Sequence, residues 1–389
     1  PATRGSRPSA LILGAGIAGL ATALELERAG FQVTILEASH RAGGRNLTVR
    51  HGDKIDEMGQ PQICQFDKAE NLYFNCGPAR IPGHHRRILH YCRALGVPLQ
   101  IKANSCKLAY FQDDKAFGGK PVRQIDYHAD VRGLMAELLW KSADSHQYDQ
   151  LLSEDDVAKL MKFARLHGDL SDTGKYAGTE RAGSSTDRML EFPKPHTPIE
   201  LKAMLDSSFW YGGLLGAELY DWCEPLMEPT GGMDGVVKGF LDHLKSKPLL
   251  KAQVKKIYNQ ETGVEVTYEQ NGKFHTVQAD YCFNNIPAYF MAGIENNFSP
   301  LYQSGLDSIK RGHLFKIAYQ MKERFWEKEG IYGGISYTSD AVNQLWYPSH
   351  DIHAPKGILL GAYTWDGKAS AAFEAMTPAE RLIAGAKSG

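Results

Sequence analysis

A short apolar run, Ser9–Leu13, breaks into Gly14-Ala15-Gly16-Ile17-Ala18-Gly19, then resumes with helical spacing at Leu20, Leu24 and Leu26 before Gly30. A second apolar run, Phe31–Leu36, ends at Glu37, 18 positions past Gly19. Strand, glycine turn, helix and strand in that order make a parallel βαβ unit, and no other stretch constrains the fold as much. Gly14 suits the tight turn, Gly16 lets backbone approach a pyrophosphate, and Gly19 lets the helix lie close on the strand. Ala18 sits inside the same turn. The helix start offers free N–H groups and partial positive charge to phosphates. Glu37 can accept both hydroxyls of an adenosine ribose. The unit predicts an α/β fold with a dinucleotide at the end of its first strand.

Composition removes other classes. A chain of 389 residues has room for two or three domains at roughly 100–200 residues each. With 43% hydrophobic and 23% charged residues it is neither disordered, coiled-coil nor collagenous. Lys plus Arg number 44 and Asp plus Glu 45, so a net charge of −1 argues against nucleic acid or an anionic membrane surface as partner. The six cysteines form no CxxC pair and the 14 histidines no HExxH, so no metal is expected and the thiols read as reduced. His350 and His353 fall in a loop. The longest uncharged run, Pro8–Leu24, contains the glycine turn, so it belongs to the fold rather than to a membrane span or signal peptide. A soluble chain is expected, with the cytoplasm favoured over secretion.

After Glu37 the chain reads Ala38-Ser39-His40-Arg41-Ala42-Gly43-Gly44-Arg45-Asn46-Leu47-Thr48. This R-x-G-G-R-x-x-T pattern resembles the second flavin fingerprint of glutathione-reductase-like flavoproteins, the amine oxidase family in particular. The resemblance makes the dinucleotide FAD, with Ala38, Gly43, Gly44 and Arg45 in its site. Gly77-Pro78-Ala79-Arg80-Ile81-Pro82 resembles the GPMRLP-type segment of L-amino-acid oxidases. It implies flavin contacts at Gly77, Pro78 and Ala79, and a bidentate pair between Arg80 and a substrate carboxylate, for which a planar guanidinium is suited. Pro229–Met233 resembles the family's return to the flavin domain. The strand near Val254 would set that residue against the adenine, and Asn271-Gly272 marks a hairpin. Lys316 falls where the family's lysine holds a water near flavin N5; a lysine inside an apolar strand is costly unless paired or functional. Tyr363 falls where the second carboxylate contact lies.

The implied architecture is α/β: a glutathione-reductase-like FAD-binding Rossmann domain built from discontinuous segments (1–60 and 229–300), an α+β substrate domain (61–125 and 301–389) and a helical insertion (126–228). Within the insertion, Ser153-Glu154-Asp155-Asp156 predicts a helix start. The polar stretch Asp169–Lys194 reads as a mobile loop, and Phe209, Trp210 and Trp222 read as helix-core aromatics before pocket residues. The implied reaction is oxidative deamination of L-amino acids: hydride transfer from Cα to FAD N5, reoxidation by O2 giving H2O2, and imine hydrolysis to a 2-oxo acid and ammonia. An amine or polyamine oxidase, or an amino-acid monooxygenase of the same family, is the alternative. The partners expected are an L-amino acid and O2, in a homo-oligomer. The family's final flavin-contacting segment is missing from the pattern, so these residues alone are expected to leave the flavin site open, with that segment on a separate or unshown chain.

Overall fold

The computed structural model describes residues 7–57, 59–148, 151–185, 192, 194–209, 214 and 219–389. They fall into two compact units.

The first unit comprises residues 1–102, 224–316 and 366–378. At its centre β1 (Ser9–Leu13) pairs in parallel with β2 (Gln32–Leu36) on one side and with the strand Tyr281–Asn284 on the other. Helix α1 (Ile17–Arg28) makes the crossover between β1 and β2. A parallel strand is covered on both faces, which is why β1 reads as a continuous apolar run. Ile12 faces Leu20, Leu24, Val236 and Phe240, whereas Leu11 and Leu13 face Val254, Ile257 and Val266. Leu11, Ile12 and Leu13 are wholly buried, each contributing about 1.5–3 kcal/mol over an exposed side chain. An antiparallel sheet carries Gln253–Asn259, Val264–Gln270 and Lys273–Ala279. Its Asn271-Gly272 turn has φ of 53° and 75°, the two positive values that a type I′ hairpin needs. A third, small sheet orders Ile81–Pro82, Leu226–Pro229 and Leu99–Lys102.

The second unit comprises residues 103–223, 317–365 and 379–389. A six-stranded sheet runs Val122–Arg123, Tyr110–Gln112, Ile335–Thr338, Gln344–Trp346, Gly357–Thr364 and Phe315–Met321. Helices Gln124–Asp144 and Glu154–Gly168 pack together beside it. Ser153 caps the second of them, its hydroxyl accepting from the Asp156 N–H at 3.2 Å, with Glu154, Asp155 and Asp156 in the positive first turn. The expected mobile loop is, over its described residues 169–185, a tied segment. Tyr176 donates to buried Asp130 at 2.7 Å, and its N–H donates to Glu137 at 2.7 Å. Polar composition hid an anchor whose partners lie on another helix. Phe209 stacks on Phe111 at 4.9 Å in the apolar core, and Trp210 lies outside the described residues.

Candidate active site

The glycine turn and the second fingerprint form one cradle in the first unit. Gly14 N–H donates to Leu36 O at 2.7 Å, closing the turn between β1 and β2. Gly43 N–H donates to Ala15 O at 2.8 Å, and Gly16 and Gly43 form a parallel bridge. The N-cap of α1 is Gly16, with no side-chain cap and no acidic residue in the first turn, so the helix start presents backbone N–H groups and positive potential. Glu37 accepts from Ala15 N–H at 2.7 Å and from Ser39 N–H at 2.8 Å. Each carboxylate oxygen keeps a second lone pair for a ribose hydroxyl. Arg41 donates to Ala42 O and Gly44 O, so it staples its own turn. Ala18, Ala38, Gly44 and Arg45 are exposed, and Gly19 is buried. Val254 is buried on a strand reached through Ala252, whose N–H donates to Glu37 O at 2.9 Å.

The Gly77–Arg80 segment lies against the same loop. Cys76 N–H donates to Leu47 O at 2.9 Å, and Thr48 pairs with Asn75. A Cβ on Gly77 would stand 1.9 Å from Arg45 O, so only glycine allows this approach. Pro78 is exposed, whereas Ala79 and Arg80 are half-buried, with Arg80 Nε fully enclosed. Lys316 donates from Nζ to Gly77 O at 2.5 Å. Burial pushes the Lys316 ammonium down to about 8; Cys76 opposes this, and Lys102 and Arg80 add to it. Burial also pushes the Cys76 thiol up to about 12, against the pull of Lys316 and Arg41.

Arg80 immediately precedes the first strand of the small sheet. There Leu226 pairs with both Pro82 and Lys102, Met227 with Ile81 and Ile101, and Glu228 with Gln100. Alternation gives one face Ile81, Met227 and Leu99, which join the apolar core, and the other face Glu228, Gln100 and Lys102. Glu228 is buried; Gln100 Nε2 donates to its Oε1 and Lys102 Nζ to its Oε2, both at 3.1 Å. Sequence reading missed these three residues. The available signal was a glutamate inside Leu-Met-Glu-Pro and a lysine closing Leu-Gln-Ile-Lys.

Lys316 gives a stability prediction. Its pKa is lower folded than the ordinary 10.5. Below about pH 8 the ammonium is charged in both states, and the folded chain bears the cost of burying it. Between about 8 and 10.5 the unfolded chain holds more protons, so stability rises with pH. At 1.36 kcal/mol per unit that rise is about 3 kcal/mol. Urea unfolding at pH 7.5 and 10.5 should show the parent gaining that amount over Lys316→Met. Parallel pH dependence in the two proteins would exclude it.

In the second unit, Tyr363 is buried on the fully buried strand Gly357–Thr364. Its ring meets Trp346 at 5.5 Å and Trp365 at 5.2 Å, and Trp222 meets Trp346 edge-on at 5.9 Å. Trp222 is thus part of an aromatic cluster and not of the helix core.

The family model for flavin containing amine oxidoreductases matches residues 17–385. The chain belongs to that family. Its cofactor is FAD, and the flavin amine oxidoreductase cradle described above fits the group: glycine backbone and an uncapped helix start for phosphates, a carboxylate for ribose. Relatives include YobN of Bacillus subtilis (strain 168), whose name classes it provisionally as an L-amino-acid oxidase. It is 27% identical over 96% of this chain and 76% of its own length. The L-amino-acid oxidase of Siganus canaliculatus is 27% identical over 91% of this chain and 65% of its own. That of Pseudechis australis is 27% identical, again over 91% and 65%. The chain thus spans just under two thirds of these last two relatives. Putrescine oxidase, solved with putrescine bound, superposes with a TM-score of 0.59 at 18% identity, over 98% of this chain and 82% of that one. The mixed α/β fold is therefore that of a flavin amine oxidase. Among the described residues no helix is long and apolar enough to cross a membrane.

Proposed function

We propose that this family member oxidises L-amino acids. The observation that carries the reading is the buried polar face beside Lys316. Arg80 and Lys102 both act on Lys316 as neighbouring cations, and Lys102 pairs with the carboxylate of Glu228. An excess positive charge in a low-dielectric setting attracts a substrate carboxylate and repels a diamine. Flavin, when bound, supplies the two-electron acceptor; the chain's residues bind, orient and move protons. Arg80 holds the carboxylate through two parallel N–H donors. By its resemblance to L-amino-acid oxidases, Tyr363 is assigned one phenolic donor to the substrate. Lys316, poised near pH 8, gives or takes a proton close to Gly77. The tryptophans around Tyr363 suit a large planar side chain.

On this reading residues 1–60 and 229–300 hold the flavin, residues 61–125 and 301–389 the substrate, and 126–228 form a helical insertion. Peroxide release across the L-amino acids, each against its decarboxylated amine, tests the proposal. The acids should turn over at least ~100-fold faster than their amines; faster oxidation of the amines, as expected of an amine oxidase, would overturn it. Amide and CO2 in place of 2-oxo acid would indicate a monooxygenase. Tyr363→Phe should raise KM about fivefold with kcat little changed, the effect of one neutral hydrogen bond. An unaltered KM would remove Tyr363 from the site.

A further inference from the structure

The helix Asp234–His243 starts without a cap of its own: Met233, which precedes it, offers its first N–H groups no side-chain acceptor. Such groups need partners from elsewhere. Two side chains of the first unit supply them. Asn75 Oδ1 accepts from Met233 N–H at 2.9 Å, and Thr48 Oγ1 accepts from Asp234 N–H at 3.1 Å. The Thr48 hydroxyl in turn donates to Asn75 Oδ1 at 2.7 Å. A hydroxyl donates and accepts at once, and an amide oxygen has two lone pairs, so one oxygen serves both donors. Asn75, Thr48 and Met233 are all buried.

This node joins three stretches of chain. Thr48 ends the second glycine motif, whose Gly43 lies so near the same helix that a Cβ there would stand 2.8 Å from Val237 Cγ2. Asn75 stands just ahead of Gly77–Ala79, the stretch that the family resemblance sets against the flavin. Met233 closes the Pro229–Met233 return to the flavin domain. The backbone ties between the first two stretches are slight. The strands Thr48–Val49 and Phe74–Asn75 have two residues each, and Cys76 N–H adds one bond to Leu47 O. A two-stranded ladder is marginal by itself in water.

We infer that Asn75 is a positioning residue for the flavin site: its side-chain oxygen locks the stretches carrying Gly43–Arg45 and Gly77–Ala79 to the start of one helix before FAD arrives. Without that oxygen the Thr48 hydroxyl and the Met233 N–H lose a buried acceptor, a state the chain relieves by letting the stretches part. FAD then binds only the fraction of molecules in which they are together, and its apparent dissociation constant rises by the inverse of that fraction. The inference rests on the family and its cofactor, and holds for an acid or an amine as substrate.

The test titrates FAD into cofactor-free protein, at a temperature where melting curves show every variant folded. Asn75→Leu, similar in size but without an acceptor, should weaken FAD at least about tenfold. At saturating FAD its visible flavin spectrum should match the parent's, because Asn75 acts through the chain and not on the ring. Asn75→Asp keeps the oxygen and Thr48→Ser keeps the hydroxyl, so both should bind FAD within about threefold of the parent. If Asn75→Leu does not accumulate folded, Thr48→Val replaces it, since it leaves Asn75 its bond from Met233; there the loss should be about fivefold. A purely structural role would lower the melting temperature and leave the dissociation constant of the folded protein unchanged, and that result would overturn the inference. An equal loss in Asn75→Asp would overturn it too, as would an altered flavin spectrum at saturation, which would put Asn75 in contact with the ring.

Discussion

Arg80→Ala will raise KM for L-amino acids by about 100- to 1,000-fold while flavin content stays at the parent level. A charge-assisted bidentate pair in an enclosed site is worth about 3–4 kcal/mol, at 1.4 kcal/mol per factor of ten. The loss should fall on carboxylate binding, because Arg80 immediately precedes the strand Ile81–Pro82 and takes no part in the hydrogen bonds that close the glycine turn. Amines lacking the carboxylate should show no comparable penalty, so the acid-to-amine ratio collapses. Steady-state kinetics alongside the flavin absorbance of each preparation decide it. A variant with parent KM would end the carboxylate assignment.

Two glycines of one turn should fail in opposite ways. Gly16 has φ −70° and ψ 173°, an extended conformation open to any residue. A Cβ built there meets nothing within 4 Å. Gly16→Val should therefore leave the unloaded protein within about 0.5 kcal/mol of the parent. Its isopropyl group would fill the space where phosphate meets the start of α1, so FAD affinity should fall at least ~100-fold. At Gly19 a Cβ would stand 2.0 Å from Gly14 O and 3.3 Å from Ile12 Cγ2. Gly19→Ala must push α1 off β1, at a cost of about 3 kcal/mol or more. Melting of the unloaded proteins and flavin-to-protein ratios separate the two. Gly16→Val with parent flavin content would show that the phosphates lie elsewhere.

The cradle was legible in sequence because its signals are local. The continuous apolar and helical runs flanking Gly14–Gly19 sit within 30 residues, and Asn271-Gly272 dictates its own turn. Lys316 stood out as a charge inside an apolar strand. The Lys102–Glu228–Gln100 cluster did not, since its strands of four residues are too short to display alternation. Its bonds also join residues 126 and 128 positions apart. The same non-locality hid Tyr176, whose hydroxyl finds Asp130 across 46 residues. Glu37 was assigned to ribose, yet its carboxylate also ties Ala15 and Ser39 together, a role that depends on turn geometry and not on residue type.

On the proposed reaction, the chain must survive the hydrogen peroxide it makes. Peroxide attacks sulfur as the thiolate, so a cysteine that ionises near neutral pH would be the first casualty of turnover. Cys76 adjoins Gly77, whose carbonyl holds Lys316, yet its thiol is pushed up to about 12 and keeps its proton throughout the physiological range. The burial that makes Lys316 easier to deprotonate thus also shields the neighbouring sulfur from the oxidant that the proposed reaction releases.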